Sequence, residues 1–284
     1  MNNADLRALY GLKYNPFLPA LPPEAVFALP GVDAFAHRLQ TMAAQGGFAL
    51  ITGEPGHGKS KTLQLIAHRL EQIPDLTVKV IERPQSTLGD FYRELGDLFN
   101  APLSPANRYG GFKALRTRWK NHCQSTLLRP VLLIDEAQLA ATACLTELRL
   151  LQSDRFDSHS LLFTILCGDG QLPERFRGAD LLPLGSRIGP RLLLTPQAPE
   201  LLQEYLNFAL EQAGCPHLMT DQLIRTLAAH AANNMRVLNN MAAELLAAAA
   251  ERNLPRIDES LFFELFSPTG SKPRRNHKKP IKES

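Results

Sequence analysis

The residues best suited to chemistry fall in two short stretches. The first, Gly53-Glu54-Pro55-Gly56-His57-Gly58-Lys59-Ser60, has the spacing G-x-x-x-x-G-K-S. Glycines at these places let the backbone turn tightly and aim its N–H groups inward at a phosphate. Gly47–Thr52 reads as a short buried strand leading in. Ser60 to Leu70 reads as a helix leading out, with Leu63, Ile66, Ala67 and Leu70 on one face. The helix adds its positive end to the anion site. In such a loop Lys59 reaches the outer phosphates of a nucleotide and the Ser60 hydroxyl ligates Mg2+. Gly53 to Lys61 are therefore the candidate nucleotide-binding residues, with His57 a bystander because the backbone does the binding there.

The second stretch is Val131-Leu132-Leu133-Ile134-Asp135-Glu136. Four branched apolar residues in a row read as a strand buried on both faces, as in a parallel sheet. Two acids at its carboxyl end are costly unless they have a task. A metal-bound phosphate nearby supplies one. Asp135 would complete the Mg2+ shell, and Glu136 would orient and deprotonate the attacking water. The plainer alternative is a pair of acids capping a strand–helix turn.

These groups need elements to position them. Before the loop, residues 10–30 carry Pro16, Pro19, Pro22, Pro23 and Pro30, which rules out a regular helix or a central strand. Phe17, Leu21, Val26 and Phe27 still call for burial, so this stretch reads as an extended segment laid over the next domain, within reach of a nucleotide base. Residues 1–9 read as a short frayed helix and Val32 to Ala44 as a longer one. After the loop come a strand at Thr77–Ile81, a helix from Leu88 to Phe99 and a loop over 101–111. A basic helix then runs from Phe112 to Ser125. Leu161–Cys167 and Leu192–Leu194 read as further strands. From about Gln197 the pattern is helical only: Glu200–Ala213, Asp221–Ala231, Arg236–Arg252 and Glu259–Phe266. Strands alternating with helices make a parallel α/β sheet with ligands at the strands' carboxyl ends. The expected fold is an α/β, three-layer parallel-sheet P-loop domain followed by a small all-helical lid. The divisions are an extended segment (1–30), the core (31–196), the lid (197–267) and a basic tail (268–284) read as disordered.

The bulk properties narrow the class. A 44% hydrophobic content over 284 residues supports a substantial core. No apolar run approaches the roughly twenty residues of a membrane span, and Met1–Asp5 has no signal-peptide character. Cys123, Cys144, Cys167 and Cys215 are widely spaced, so no zinc or redox motif is indicated and reduced thiols in a cytoplasmic protein are expected. Six basic residues of the tail face Glu283 alone, while the whole chain has a net charge of only +3. The body is therefore slightly acidic, and attraction to nucleic acid must come from local patches or the tail.

Taken together, these motifs resemble the AAA+ ATPases. Within them they are similar to the bacterial group that includes the ATPase domain of the ExeA secretion protein and the transposition regulators MuB, TniB and TnsC. The resemblance extends to about residue 266. It rests on the opening Tyr10-Gly11-Leu12 with Pro16-Phe17, on Walker A (Gly53–Ser60) and Walker B (Val131–Glu136), and on the strand end Leu166-Cys167-Gly168-Asp169. It also rests on Arg187-Ile188 and on the lid pattern Asn233-Asn234-Met235-Arg236-Val237-Leu238-Asn239-Asn240, where Asn233 replaces the usual Gly. The resemblance implies ATP with Mg2+. It implies Arg236 as a sensor reaching the γ-phosphate from the lid, and Arg187, with Arg191 as its rival, as an arginine finger completing a neighbour's site. It implies Asp169 as a sensor in a place where Gln or Asn is more usual; an acid there would instead hold an arginine or a water.

Three functions fit. The first is an ATP-dependent regulator of transposition that forms head-to-tail oligomers or a filament on duplex DNA, without sequence preference, and engages a transposase. It draws on Arg108, Lys113, Arg116, Arg118 and Lys120, which fall where the resembling regulators contact the DNA backbone. A solvated helix face is the alternative for these cations. The second is a secretion or envelope ATPase like ExeA. This reading is disfavoured because no membrane span or cell-wall-binding region is visible in the sequence. The third is a nucleotide switch without turnover, against which the intact Glu136 argues. The first is the reading taken here, with no membrane partner.

Overall fold

The computed structural model describes residues 3–101 and 107–266. The expected basic tail lies outside these residues. Five parallel strands form the central sheet: β1 (Gly47–Gly53), β2 (Val78–Ile81), β3 (Val131–Ile134), β4 (Phe163–Gly168) and β5 (Ile188–Leu194). Their spatial order is β2-β3-β4-β1-β5, so β4 is inserted between the loop-bearing strand and the acid-bearing strand. Side chains alternate across the sheet as strand geometry requires. Ala49, Ile51, Leu133 and Ile165 face one core, and Phe48, Leu50, Leu132 and Leu166 face the other. The first core is covered by α2 (Val32–Gln45) and α3 (Lys59–Glu71), and also takes in the C-terminal helices. The second is covered by α4 (Leu88–Leu98), α5 (Arg108–Thr126) and α6 (Thr142–Gln152). This is the three-layer arrangement read from the strand–helix alternation.

Three elements differ from the sequence reading, each for a local reason. Strand β5 begins at Ile188 rather than Leu192. Gly189-Pro190 reads as a breaker, but β5 is an edge strand, where a proline's missing N–H costs no ladder bond. An irregularity between Phe48 and Leu50 of β1 absorbs the extra residue. Helix α5 begins at Arg108, so the expected 101–111 loop is shorter than it reads (102–106 lie outside the described residues). Asn107 caps α5 by accepting from Gly110 N at 2.8 Å. At Gly111 the helix packs closely on α4: a Cβ there would lie 3.1 Å from the Tyr92 ring. Helix α6 was not read from the sequence. A buried Glu147 interrupts its apolar face. That acid accepts from the Tyr92 hydroxyl and from Arg108 Nε at 3.0 Å, and so ties α4, α5 and α6 together.

The lid is helical, as its periodicity suggests. Two four-residue turns, α7 (Leu172–Arg175) and α8 (Leu182–Gly185), precede β5. The lid follows as α9 (Pro199–Ala213), α10 (Asp221–His230), α11 (Met235–Glu251) and α12 (Glu259–Phe266). The amino-terminal helix α1 (Asn3–Tyr10) docks on the lid: Tyr10 donates its hydroxyl to Leu254 O at 3.0 Å, and Lys13 N donates to Ala213 O at 2.9 Å. The proline-rich segment then crosses to the core, where Lys61 donates to Pro19 O.

Candidate active site

The loop between β1 and α3 is built for close backbone approach. Gly56 has φ +87° and Gly58 φ +90°, both in the left-handed region. A Cβ on Gly53 would lie 2.7 Å from Leu194 O, and one on Gly56 2.2 Å from Asn234 Oδ1. Lys59 is buried at 8% exposure and donates to Glu54 O at 3.2 Å, bracing the loop across its own turn. His57 is turned away into the protein, with Nδ1 3.4 Å from Leu194 O, which fits the bystander reading. The Glu54 carboxylate points at Gly170, where a Cβ would lie 2.3 Å from its Oε1.

A cleft of about 310 Å³ opens beside this loop. Gly56, Gly58, Lys59, Ser60, Lys61 and Thr62 line it, as do Glu136 and the lid's Arg236. Lys61 lines the cleft too, but its ammonium is held by Pro19 O and by Gln64 Oε1 at 3.0 Å. Burial lowers its pKa. The remaining wall is mainly apolar, with Phe17, Val26, Phe27 and Leu29 from the proline-rich segment and Tyr205 and Met235 from the lid; Asn239 and Asn240 add two amides on the lid side. Phe27 stands edge-on to Tyr205 (5.7 Å between ring centroids) and to Phe208 (5.3 Å). One end of the cleft thus presents N–H groups and an ammonium, the other aromatic and aliphatic surface. A phosphate chain and a flat base meet the same division.

The acids sit where the β3 register carries them. Ile134 pairs with Leu166 of β4, which pairs with Leu50 of β1, so Asp135 lies two strand spacings from the loop strand, about 10 Å. Asp135 Oδ1 accepts from Glu136 N at 2.9 Å. Burial, the Asp135 charge and a hydrogen bond to that carboxylate together push the Cys167 thiol well above its usual pKa, so it stays a neutral neighbour. Glu136 has φ +48°, an uncommon conformation for a residue with a side chain. Its Oε2 accepts from Gln138 Nε2, while Gln138 Oε1 accepts from Asp169 N at 3.3 Å. Arg175 clamps this turn by donating to Gln138 O at 2.8 Å and Ala140 O at 2.6 Å. Gln138 and Arg175 were not singled out in the sequence. The short Ala137–Leu139 turn that places Gln138 beside Glu136 has no periodic signal.

The other candidates are dispersed. Arg236 opens α11 at the cleft. Asn234, just before it, caps the helix by accepting from Arg236 N at 2.9 Å and Val237 N at 3.2 Å, and donates to Pro55 O at 3.0 Å. One side chain therefore joins lid to phosphate loop. The Asp169 carboxylate accepts from Gln171 N at 3.0 Å, beside the Ala137–Leu139 turn and outside the cleft lining. Arg187 lies next to Ile188, which pairs with Phe48 at the start of β1. The loop begins beyond Gly53, which pairs with Leu194, so about 17 Å of strand separates Arg187 from its own phosphate loop. Arg187 pairs with Asp157. Arg191 pairs across from Leu50 and donates to Gly185 O at 3.3 Å.

Three of the five α5 cations already have acidic partners. Arg108 is paired with buried Glu147. Arg116 and Lys120 share Asp154, at 2.7 and 2.9 Å. Arg116 also donates to Leu151 O at 2.9 Å. Lys113 and Arg118 are exposed and form no ion pair with a described residue.

A protein-family model described as an AAA domain matches residues 42–176. General secretion pathway protein A of Aeromonas hydrophila is 30% identical over 254 residues, covering 87% of this chain and 45% of that protein. The chain thus spans less than half the length of this curated relative. Among solved structures, Aeropyrum pernix ORC2 aligns with a TM-score of 0.71 at 17% identity, covering 91% of this chain and 72% of that one. Cdc6p from Pyrobaculum aerophilum gives 0.66 at 14% identity, covering 85% and 67%. The A. pernix ORC1 protein in complex with DNA gives 0.65 at 18%, covering 88% and 67%. At these identities the likeness is one of fold, and the fold is that of the AAA+ P-loop proteins.

Proposed function

We propose that this chain, an AAA+ ATPase, hydrolyses ATP at sites completed between neighbouring copies, and that these assemblies form on duplex DNA to regulate transposition. The observation that carries the first part is the position of Arg187. It stands at the opposite end of the sheet from its own phosphate loop, so it fits a role in a neighbour's site and not in its own.

The chemistry follows from the cleft. Loop N–H groups and the Lys59 ammonium hold the phosphates of ATP, and Arg236 reaches them from the lid. Ser60 and Asp135 offer a hydroxyl and a carboxylate, hard oxygen donors that suit Mg2+. Were Mg2+ held by these two residues, it would supply charge neutralisation on the phosphates. Glu136 accepts the proton of the attacking water once its carboxylate is free of Gln138. A neighbour's Arg187, released from Asp157, neutralises charge developing on the transferred phosphoryl group. The Asp169 carboxylate is held within its own turn, and only its backbone N–H reaches Gln138.

The DNA part draws on surface cations. The cations left for phosphate contacts are Lys113 and the basic tail; Lys120, partly exposed, is shared with Asp154, and Arg118 lines a separate cleft. Co-sedimentation of the protein with random-sequence duplex DNA, with and without ATP, tests it across a range of salt. ATP-dependent association that weakens steeply with salt is expected. A protein that hydrolyses ATP but ignores DNA at every salt concentration would overturn this part and leave the assembly part standing.

A second reading has its own support. The curated relative at 30% identity is a general secretion pathway protein. On this reading the same ATP cycle serves a secretion apparatus through a protein partner. Among the described residues no helix is long and apolar enough to cross a membrane.

A further inference from the structure

At the far end of the sheet from the nucleotide cleft lies a second cleft of about 540 Å³. Its floor is the start of β2 and β3, marked by Thr77, Lys79 and Pro130. Its walls are the end of α4 and one face of α5. Among its lining residues are Lys79, Arg118 and His122, and no carboxylate. Trp119 also lines it. This residue is fully buried, yet its indole N–H has no acceptor among the described residues, and the same holds for His122 Nε2. A buried donor left without a partner is costly, and native structures rarely carry one without a reason. Here the unpaired groups and the two cations line the same cleft. Burial and the Arg118 charge lower the His122 pKa, with Asp75 acting weakly the other way, so at neutral pH the charge of the cleft rests on Lys79 and Arg118.

The cleft also borders an open sheet edge. β2 ends the sheet, with β3 on its one paired side. Thr77 O accepts from Val131 N of β3, and Ile81 O from Asp135 N just past its end. By the alternation of a parallel ladder, the backbone groups of Val78 and Val80 face outward, with no partner among the described residues. Thr77, Lys79 and Ile81 project their side chains toward the α4–α5 face, where the cleft is.

We propose that this cleft binds an extended acidic segment of a partner protein, which adds as a strand to the free edge of β2 and sets alternate carboxylate side chains against Lys79, Arg118 and the Trp119 indole. Backbone bonds to Val78 and Val80 would give affinity, and the cationic cleft would select the sequence. The site is separate from the ATP cleft and stands whichever of the two functional readings holds.

The test uses the chain's single tryptophan as its reporter. An acetylated octapeptide of alternating Thr and Glu is titrated against the full-length protein while Trp119 fluorescence is followed. A saturable change is expected, absent with the Thr–Lys peptide of the same length and with free glutamate. Lys79→Glu should weaken the Thr–Glu peptide about tenfold and leave ATP turnover unchanged. Arg118→Glu should weaken it as well. No response in the wild-type protein, or an equal response to the Thr–Lys peptide, would overturn the proposal whatever the variants do. So would duplex DNA producing the same change and displacing the peptide, which would assign the cleft to nucleic acid.

Discussion

Asn234 holds two elements with one amide. Its oxygen caps α11 and its nitrogen bonds the phosphate loop at Pro55. Asn234→Ala should lose the cap, worth about 1 kcal/mol, and also loosen the lid over the cleft. We expect a lower melting temperature together with weaker ATP binding, measured on one preparation by thermal unfolding and nucleotide titration. Unchanged nucleotide affinity would show that the bond to Pro55 does not hold the lid. Glu136→Gln keeps the shape of the side chain and removes its basicity. Turnover should fall by about 10²–10⁴ with ATP still bound, and assemblies in ATP should outlast those of the wild type; a mutant that turns over normally would move the base elsewhere. Lys59→Ala should lose nucleotide binding itself, read by the same titration.

The elements that carry these residues were unequally legible. The phosphate loop and the acid-bearing strand announce themselves, because a fixed spacing and four apolar residues in a row leave few alternatives. The basic helix α5 was legible as an element but not in its partners. Glu147 and Asp154 meet it from α6 and from the two-residue strand Ser153–Asp154 that follows α6, at sequence separations of 39 and 38 residues. A linear charge count therefore overstates its free charge. Burial raises the pKa of Asp154, but Lys120 and Arg116 lower it further, and the net position is below the usual carboxylate value of 3.8. A carboxyl depressed on folding stabilises above its unfolded pKa, and the contribution is lost as pH falls through the folded value. Asp154→Asn should cost about 2 kcal/mol at neutral pH, read by urea unfolding. The gap to the wild type should close as the pH drops below 3.8. A gap that persists in acid would mean the loss comes from packing.

For the whole molecule, the central question is where an active site ends. Within one copy the cleft has a phosphate loop, two acids, a lid arginine and an apolar wall, with Arg187 out of reach at the other end of β1 and β5. Sequence spacing could mark Arg187 as a candidate, but only the register of β5 on β1 separates it from its own loop. Head-to-tail contacts of this kind are heterologous, so the same pair of surfaces can repeat along a filament or close into a ring. The most direct measurement mixes two inactive variants. Arg187→Ala keeps an intact cleft and lacks the proposed finger, and Glu136→Gln keeps that arginine and lacks the proposed base. In an equal mixture about one interface in four pairs an intact cleft with an intact finger, so ATP turnover should recover to about a quarter of the wild-type rate. A mixture no more active than the average of its two parents would contradict the account and return the site to a single copy.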